Sequence, residues 1–358
     1  MVRTRRVSTS DLIRTLAAGN RLMGEDLLPL VELASPEELA PLFTAADQVR
    51  RRMVGDAVHL RALIEFSNYC RANCLYCGLR RENRNLARYR LSLEEIEGLI
   101  AEAYRLGFGT VVLQSGEDLW YDADRMARLI RYAKSLGLAV TLSLGERSPE
   151  EVAYWRKEGA DRYLLRHETA NPALHRRLRP GRSLEGRVGL LRYLKELGYQ
   201  IGAGFMVGLP GQEAADLVAD LELLVELEAD MVGIGPFIPH PDTPLAGAPG
   251  GRVLETVKMV ALARLLLPEA LIPATTALGS LDPYGRENAL EAGANVVMPS
   301  LTPKAVRRQY ALYPGRICLD ETGEQCRACL EARLRRLGRT VATGPGHSLK
   351  WERRNRNG

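Results

Sequence analysis

The 358-residue sequence has no uninterrupted apolar run approaching the ~18 residues that a bilayer-spanning helix needs, so no membrane partner is expected. It has no internal repeat of the solenoid kind and no low-complexity stretch. The loop after its first apolar run lacks Gly-x-Gly-x-x-Gly, which removes the dinucleotide-binding fingerprint. Lysine is scarce, with 6 against 43 arginines, and the net charge is only +5. Such a modest excess does not call for a nucleic-acid partner. The arginine clusters at 50–52, 80–81, 335–336 and 353–354 read as solvated faces or as docking points for an acidic electron donor. The start, Met1-Val2-Arg3-Thr4-Arg5-Arg6, is basic with no apolar stretch behind it. It does not read as a secretory signal, and a cytoplasmic location is expected. No cysteine occurs between Cys77 and Cys318, which argues against a disulfide framework.

What is present is an ordinary globular composition, 46% hydrophobic and 26% charged, long enough to bury a large core. Residues 1–60 read as a helical segment, with starts at Ser10-Asp11 and at Ser35-Pro36-Glu37-Glu38. From residue 61 short apolar runs alternate with amphipathic helical patterns. The runs fall at 60–66, 110–114, 139–144, 162–166, 200–207, 231–237, 271–277 and 296–299. Ser92 and Ser148 open capping-box patterns between them. Eight strands with crossover helices predict an α/β fold, a (β/α)8 TIM-type barrel over 61–300, although an open doubly wound sheet would read similarly. Residues 301–358 form a C-terminal extension.

The six cysteines form two triplets. Cys70, Cys74 and Cys77 have Cys-x3-Cys-x2-Cys spacing in the loop after the first strand, where barrel chemistry sits. Three thiolates suit a four-iron cube and leave one iron without a protein ligand. A structural zinc site wants four ligands, and no nearby histidine completes this set. Cys318, Cys326 and Cys329 form the second triplet.

The first triplet, placed after a barrel's first strand, resembles that of the radical S-adenosylmethionine (SAM) superfamily. The resemblance implies that a 4Fe-4S cluster chelates SAM, and that one electron cleaves it to methionine and a 5′-deoxyadenosyl radical. It also implies a place near the adenine for Tyr76 and near the methionine amino group for Gly116 and Glu117. By the same resemblance Arg187 takes the SAM carboxylate, where a guanidinium fork fits. Arg166 and Glu168 share one side of strand four; they meet either a zwitterionic cofactor, at its ribose or amino group, or each other. Met206 stacks near the adenine or fills core, and backbone groups of Ile234 suit an adenine edge. His240 reads as an acid or base, or as a loop prop; His167 should face away from the site. Thr275-Thr276 offer two hydroxyls at the barrel mouth.

Within the superfamily, the sequence most resembles the HydE family of FeFe-hydrogenase maturases. Residues 67–80, Arg166-His167-Glu168-Thr169 with Leu178-Arg179-Pro180, and residues 235–245 carry that likeness. It implies assembly of the two-iron subcluster of the hydrogenase H-cluster, a small organometallic substrate, a low-potential electron donor, and HydG and HydF as partner maturases. The second triplet resembles an auxiliary iron–sulfur site found in some members. Methylornithine synthase and biotin synthase share barrel and loop. The former should lack the tail triplet; the latter uses further barrel cysteines that are missing here. A non-catalytic iron–sulfur carrier is the reading from outside enzymology.

Overall fold

The computed structural model describes residues 7–356; the basic start at 1–6 lies outside them. The strands, in chain order, are β1 (Ala57–Leu60), β2 (Ala62–Ser67), β3 (Thr110–Ser115), β4 (Ala139–Ser143), β5 (Arg162–Leu164), β6 (Gln200–Ala203), β7 (Met206–Val207), β8 (Met231–Val232), β9 (Gly235–Pro236), β10 (Val296–Val297) and β11 (Thr340–Val341). Six of them form one parallel sheet in the order β2-β3-β4-β5-β6-β8. Single parallel bridges then carry the ring onward, from Met231 to Leu271, from Pro273 to Val296 and from Ser300 back to Leu63. The Leu63 amide donates to Pro299 at 2.9 Å and its carbonyl accepts from Leu301 at 2.7 Å. The sheet therefore closes into the expected eight-stranded barrel. The open doubly wound alternative is excluded, because both of its edges would need free backbone groups.

Local sequence explains the elements. Ser35, Ser92 and Ser148 each close a capping box with a glutamate three residues on. β2 is buried along its whole length, as a strand between barrel lumen and outer helices must be. The Val253–Leu266 helix is buried from Thr256 to Leu265 because the N-terminal Pro36–Val54 helix covers its outer side. Lys258 ties that segment down by donating to the carbonyls of Val31 and Leu33.

Several sequence expectations need correction. The first helix begins at Thr9 and is capped by Ser8, not by Ser10-Asp11; the Ser8 side chain accepts from the Asp11 amide. The run 200–207 breaks at Gly204, whose φ is +155°. A Cβ there would lie 2.0 Å from the Gly233 carbonyl oxygen, so the backbone crosses where no side chain fits. The run 231–237 splits likewise, and its outer half pairs with β7 as a second small sheet. The run 271–277 contributes only isolated bridges. Thr275 is already the N-cap of a helix at Thr276–Leu281, and Pro273 has no amide to extend a ladder.

The extension after residue 300 crosses both ends of the barrel. At the site end, Arg316 reaches inward to Glu65 of β2 at 2.6 Å. Ser300 and Thr302 hydroxyls also donate to that carboxylate. At the other end, the carbonyls of Pro345 and Gly346 accept from Arg162 at 2.7 and 2.9 Å, and Gly346 also accepts from Arg61 at 3.1 Å. Arg61 and Arg162 are fully buried, so these carbonyls replace the water that the two guanidiniums lose.

Removing the guanidinium of Arg316 strands Glu65 in the barrel wall. Arg316→Leu is expected to lower stability by about 3–5 kcal/mol in urea unfolding, and an unchanged midpoint would contradict the pairing.

Candidate active site

The site is assembled where the strand ends meet the loops. The three-cysteine loop leaves β2 and is buckled by two side chains. Asn68 donates to the carbonyls of Ala87 and Gln309, each at 2.8 Å, and accepts from the Tyr89 amide. Arg88 donates to the carbonyls of Asn68, Leu79, Arg80 and Asn83. Gly78 closes the turn because a Cβ would sit 2.0 Å from the Ala311 carbonyl and 2.6 Å from His240. His240 thus props the loop. Its Nδ1 accepts from the Asp242 amide at 3.1 Å, and burial lowers its pKa.

Cys70, Cys74 and Cys77 are free thiols, each partly buried. The Glu117 amide donates to Cys70 Sγ at 3.4 Å, and Arg179 Nε to Cys74 Sγ at 3.5 Å. Burial pushes the Cys70 thiol up to about 11, against the amides of Glu117 and Ala72 that pull it down. Cys77 is raised further, by burial and then by its two neighbours. Thiols so placed lose their protons to a bound cation rather than to water. Among the described residues, no three Cys, His, Asp or Glu side chains converge as a single ion would require. A cube binds its thiolates at separate corners and leaves one iron without a protein ligand, so a set of three thiolates fits a cluster.

Beside the loop lies a web of charge. Gly116 is required at the end of β3, since a Cβ would sit 2.1 Å from the Tyr69 carbonyl oxygen. Glu117 is buried, with Arg71 at 3.1 Å and Arg182 at 2.6 Å, and it accepts from the Glu146 amide at 3.2 Å. Glu146, beyond β4, binds Arg179 at 3.1 Å, Arg182 at 3.0 Å and Arg187 at 2.6 Å. Burial opposes ionisation of Glu146, but these three guanidiniums outweigh it and hold the carboxyl below its ordinary range. Arg187 also donates to the Arg166 carbonyl at 2.5 Å.

The lumen above the strands is a cavity of about 340 Å³. Arg166, Glu168, Arg187, Thr275 and Thr276 line it from the barrel, and Tyr310, Tyr313 and Arg316 from the extension. Arg166 and Glu168 pair at 3.0 Å, yet Glu168 Oε2 is buried without an aligned hydrogen-bond donor. Glu168 has φ +72°, a rare conformation held by its amide bond to Gly204 and its carbonyl bond from Met206, each 3.0 Å. Thr275 Oγ1 is likewise buried and unpaired. Orphaned acceptors facing a cavity fit a polar ligand with donors. Tyr76 packs on the same small apolar cluster as Met206. The Ile234 side chain belongs instead to the main core. His167 faces away and meets Asp220 at 3.2 Å.

Sequence reasoning missed Glu146, Arg179, Arg182, Glu65 and Arg316. Arg179 carried a faint signal, within a stretch already noted for its likeness. Glu146 and Arg182 lie on loops and Arg316 on the extension, where no periodicity marks an inward side chain; Glu65 lies on β2, whose burial along its whole length hides which face it takes.

A model of the radical SAM superfamily matches residues 64–224. The [FeFe] hydrogenase maturase subunit HydE of Thermotoga maritima is 57% identical over 83% of this chain and 86% of its own length. The chain belongs to the radical SAM superfamily, in the HydE family. The 3-methylornithine synthase of Methanosarcina acetivorans is 34% identical over 82% of this chain and 84% of its own. The crystal structure of methylornithine synthase superposes with a TM-score of 0.82 at 32% identity, covering 92% of this chain and 97% of that one. HydG of Carboxydothermus hydrogenoformans, at 22% identity over 92% of this chain and 78% of that one, has a TM-score of 0.76 and shares the fold. As a radical SAM enzyme, this HydE-family chain uses a 4Fe-4S cluster and SAM. Among the described residues no helix is long and apolar enough to cross a membrane.

The second triplet is arranged differently from the first. Cys326 and Cys329 lie one turn apart on the Gly323–Arg336 helix, Cys326 buried and Cys329 exposed. Cys318 is hydrogen-bonded to Cys326, and Arg286 donates to its sulfur at 3.4 Å. The bond to Cys326, with Arg286 adding to it against burial, lowers the Cys318 thiol to about 6.

The web around Glu146 sets an acid limit. Its carboxyl titrates below the ordinary 4.5, so its contribution to stability is complete above that pH and is lost as pH falls through the lower folded-state value. The melting temperature of the wild type should fall more steeply below pH 4.5 than that of Glu146→Gln. Parallel curves would contradict the assignment.

Proposed function

We propose that this chain acts as a HydE-type maturase, which reductively cleaves SAM and uses the radical in assembling the two-iron subcluster of the hydrogenase H-cluster. The observation that carries the radical reading is a loop of three partly buried thiols beside a cavity lined by the Arg166–Glu168 pair and the unpartnered Thr275 hydroxyl. Similarity to HydE, well above that to methylornithine synthase, carries the choice of reaction. When bound, the cluster and SAM supply one-electron cleavage to a 5′-deoxyadenosyl radical.

The chain's own residues bind and orient. Cys70, Cys74 and Cys77 hold the cluster. Arg187, steered by Glu146 and the Arg166 carbonyl, takes the SAM carboxylate. Gly116 lets the β3 end approach the cluster loop. Glu117 acts as a positioning residue, since its oxygens are engaged by Arg71, Arg182 and the Glu146 amide. Glu168, ion-paired with Arg166, accepts from the ribose or amino group. Tyr76 and Met206 form the apolar wall for the adenine, and the backbone of Ile234 its edge. Arg316 and the extension exclude water from the lumen, which protects a radical from quenching.

We assign 1–60 as the helical segment, 61–300 as the catalytic barrel and 301–358 as the extension, with Cys318, Cys326 and Cys329 as an auxiliary iron–sulfur site. The substrate is a small organometallic complex, HydG and HydF are the partner maturases, and the setting is cytoplasmic.

With dithionite and SAM, the reconstituted protein is expected to release 5′-deoxyadenosine. Cys70→Ala, Cys74→Ala and Cys77→Ala should each abolish release, and Cys326→Ala should leave it largely intact. A wild type that binds a cluster yet releases none would support the carrier reading. Apo-hydrogenase supplied with partner maturases should gain activity only when this protein is added; equal activity without it would refute the maturase role.

A further inference from the structure

We infer that the exposed tip of the β3–helix loop, Leu119-Trp120, is the docking and electron-entry face for an acidic ferredoxin. The inference rests on the proposed radical chemistry, which consumes one electron per SAM cleaved. Few large apolar side chains are exposed among the described residues, and only Leu119 and Trp120 are adjacent in sequence, at 52% and 40% exposed. They follow Glu117 and Asp118 directly, and the Glu117 amide donates to Cys70 Sγ. A path of three peptide units and one hydrogen bond therefore links the surface indole to a cluster sulfur.

Arginines ring this tip. Arg125 stacks on the Trp120 ring at 4.5 Å, donates to its carbonyl at 3.1 Å and pairs with Asp122. Arg90 covers Tyr69, next to Cys70, at 3.8 Å and pairs with Asp118 at 2.7 Å. Arg71 pairs with Glu117. In the last two pairs the cation is outermost: Arg71 and Arg90 are 42% and 35% exposed, whereas Glu117 and Asp118 are 5% and 3% exposed beneath them. An apolar centre of Trp and Leu with an arginine rim has the composition of a binding hot spot, and the outward guanidiniums of Arg71 and Arg90, over buried carboxylates, favour an acidic partner. A plant-type ferredoxin carries one electron at low potential, and small redox contacts need little area. The reduced ferredoxin gives up one electron and the cluster gains one; no bond forms or breaks in that step.

The test uses the reconstituted full chain and an acidic plant-type [2Fe–2S] ferredoxin, with binding followed by calorimetry and SAM cleavage followed separately with dithionite. Wild type should bind saturably, more weakly as salt rises. Leu119→Glu and Trp120→Ser should each weaken binding about tenfold or more, with dithionite-driven cleavage and circular dichroism unchanged. Arg335→Glu, on a helix outside the tip, should bind as wild type does. Absent ferredoxin binding, undiminished binding by Leu119→Glu, equal loss in Arg335→Glu, or binding of a flavodoxin alone would each overturn the assignment. Ferredoxin binding without dithionite-driven cleavage in wild type would instead refute the radical reading and leave the docking face standing.

Discussion

The constraint on which the rest depends is the burial of Glu117 and Glu146 among Arg71, Arg179, Arg182 and Arg187. These groups come from the cysteine loop, the ends of β3 and β4, and the loop and helix after β5. None could stay charged away from water alone. Together they fix four chain segments around one point, and Arg179 also donates to Cys74 Sγ. Gly145 shows how tightly they pack, since a Cβ there would lie 2.3 Å from Glu117 Cγ. Arg179 and Arg182 bridge both carboxylates, so the web acts as a unit.

The barrel was legible in the sequence because its signals are local. Alternation of apolar runs with capped amphipathic patterns gives each strand and helix independently, and Ser92 and Ser148 mark helix starts without reference to tertiary contacts. The cysteine spacing was legible for the same reason. What remained hidden depends on crossing backbones. The breaks at Gly204 and near Gly233 come from one strand end pressing on another, and the seventh run yields to a helix because Thr275 caps it.

Site residues divide along the same line. Arg166 and Glu168 were placed on one side of a strand by period alone; both lie beyond β5, which ends at Leu164, and they meet as an ion pair from the loop that follows. The positive φ of Glu168 has no sequence signature in a glutamate. Glu146 and Arg182 sit in loops, where side-chain direction follows from partners distant in sequence. The likeness to known proteins supplied a role for Glu117 as a direct cofactor contact. The geometry gives it a full set of neighbours already, which makes it a fastener for the arginines.

The last strand of the barrel ends at residue 300, and both stoppers come later in the chain: Arg316 for one mouth, Pro345 and Gly346 for the other. Connectivity thereby imposes an order of events during vectorial synthesis. The eight-stranded cylinder can close while its lumen is still wet at both ends, and the buried arginines Arg61 and Arg162 keep their hydration until the final segment arrives. The groups that stopper the two mouths are thus the last to leave the ribosome.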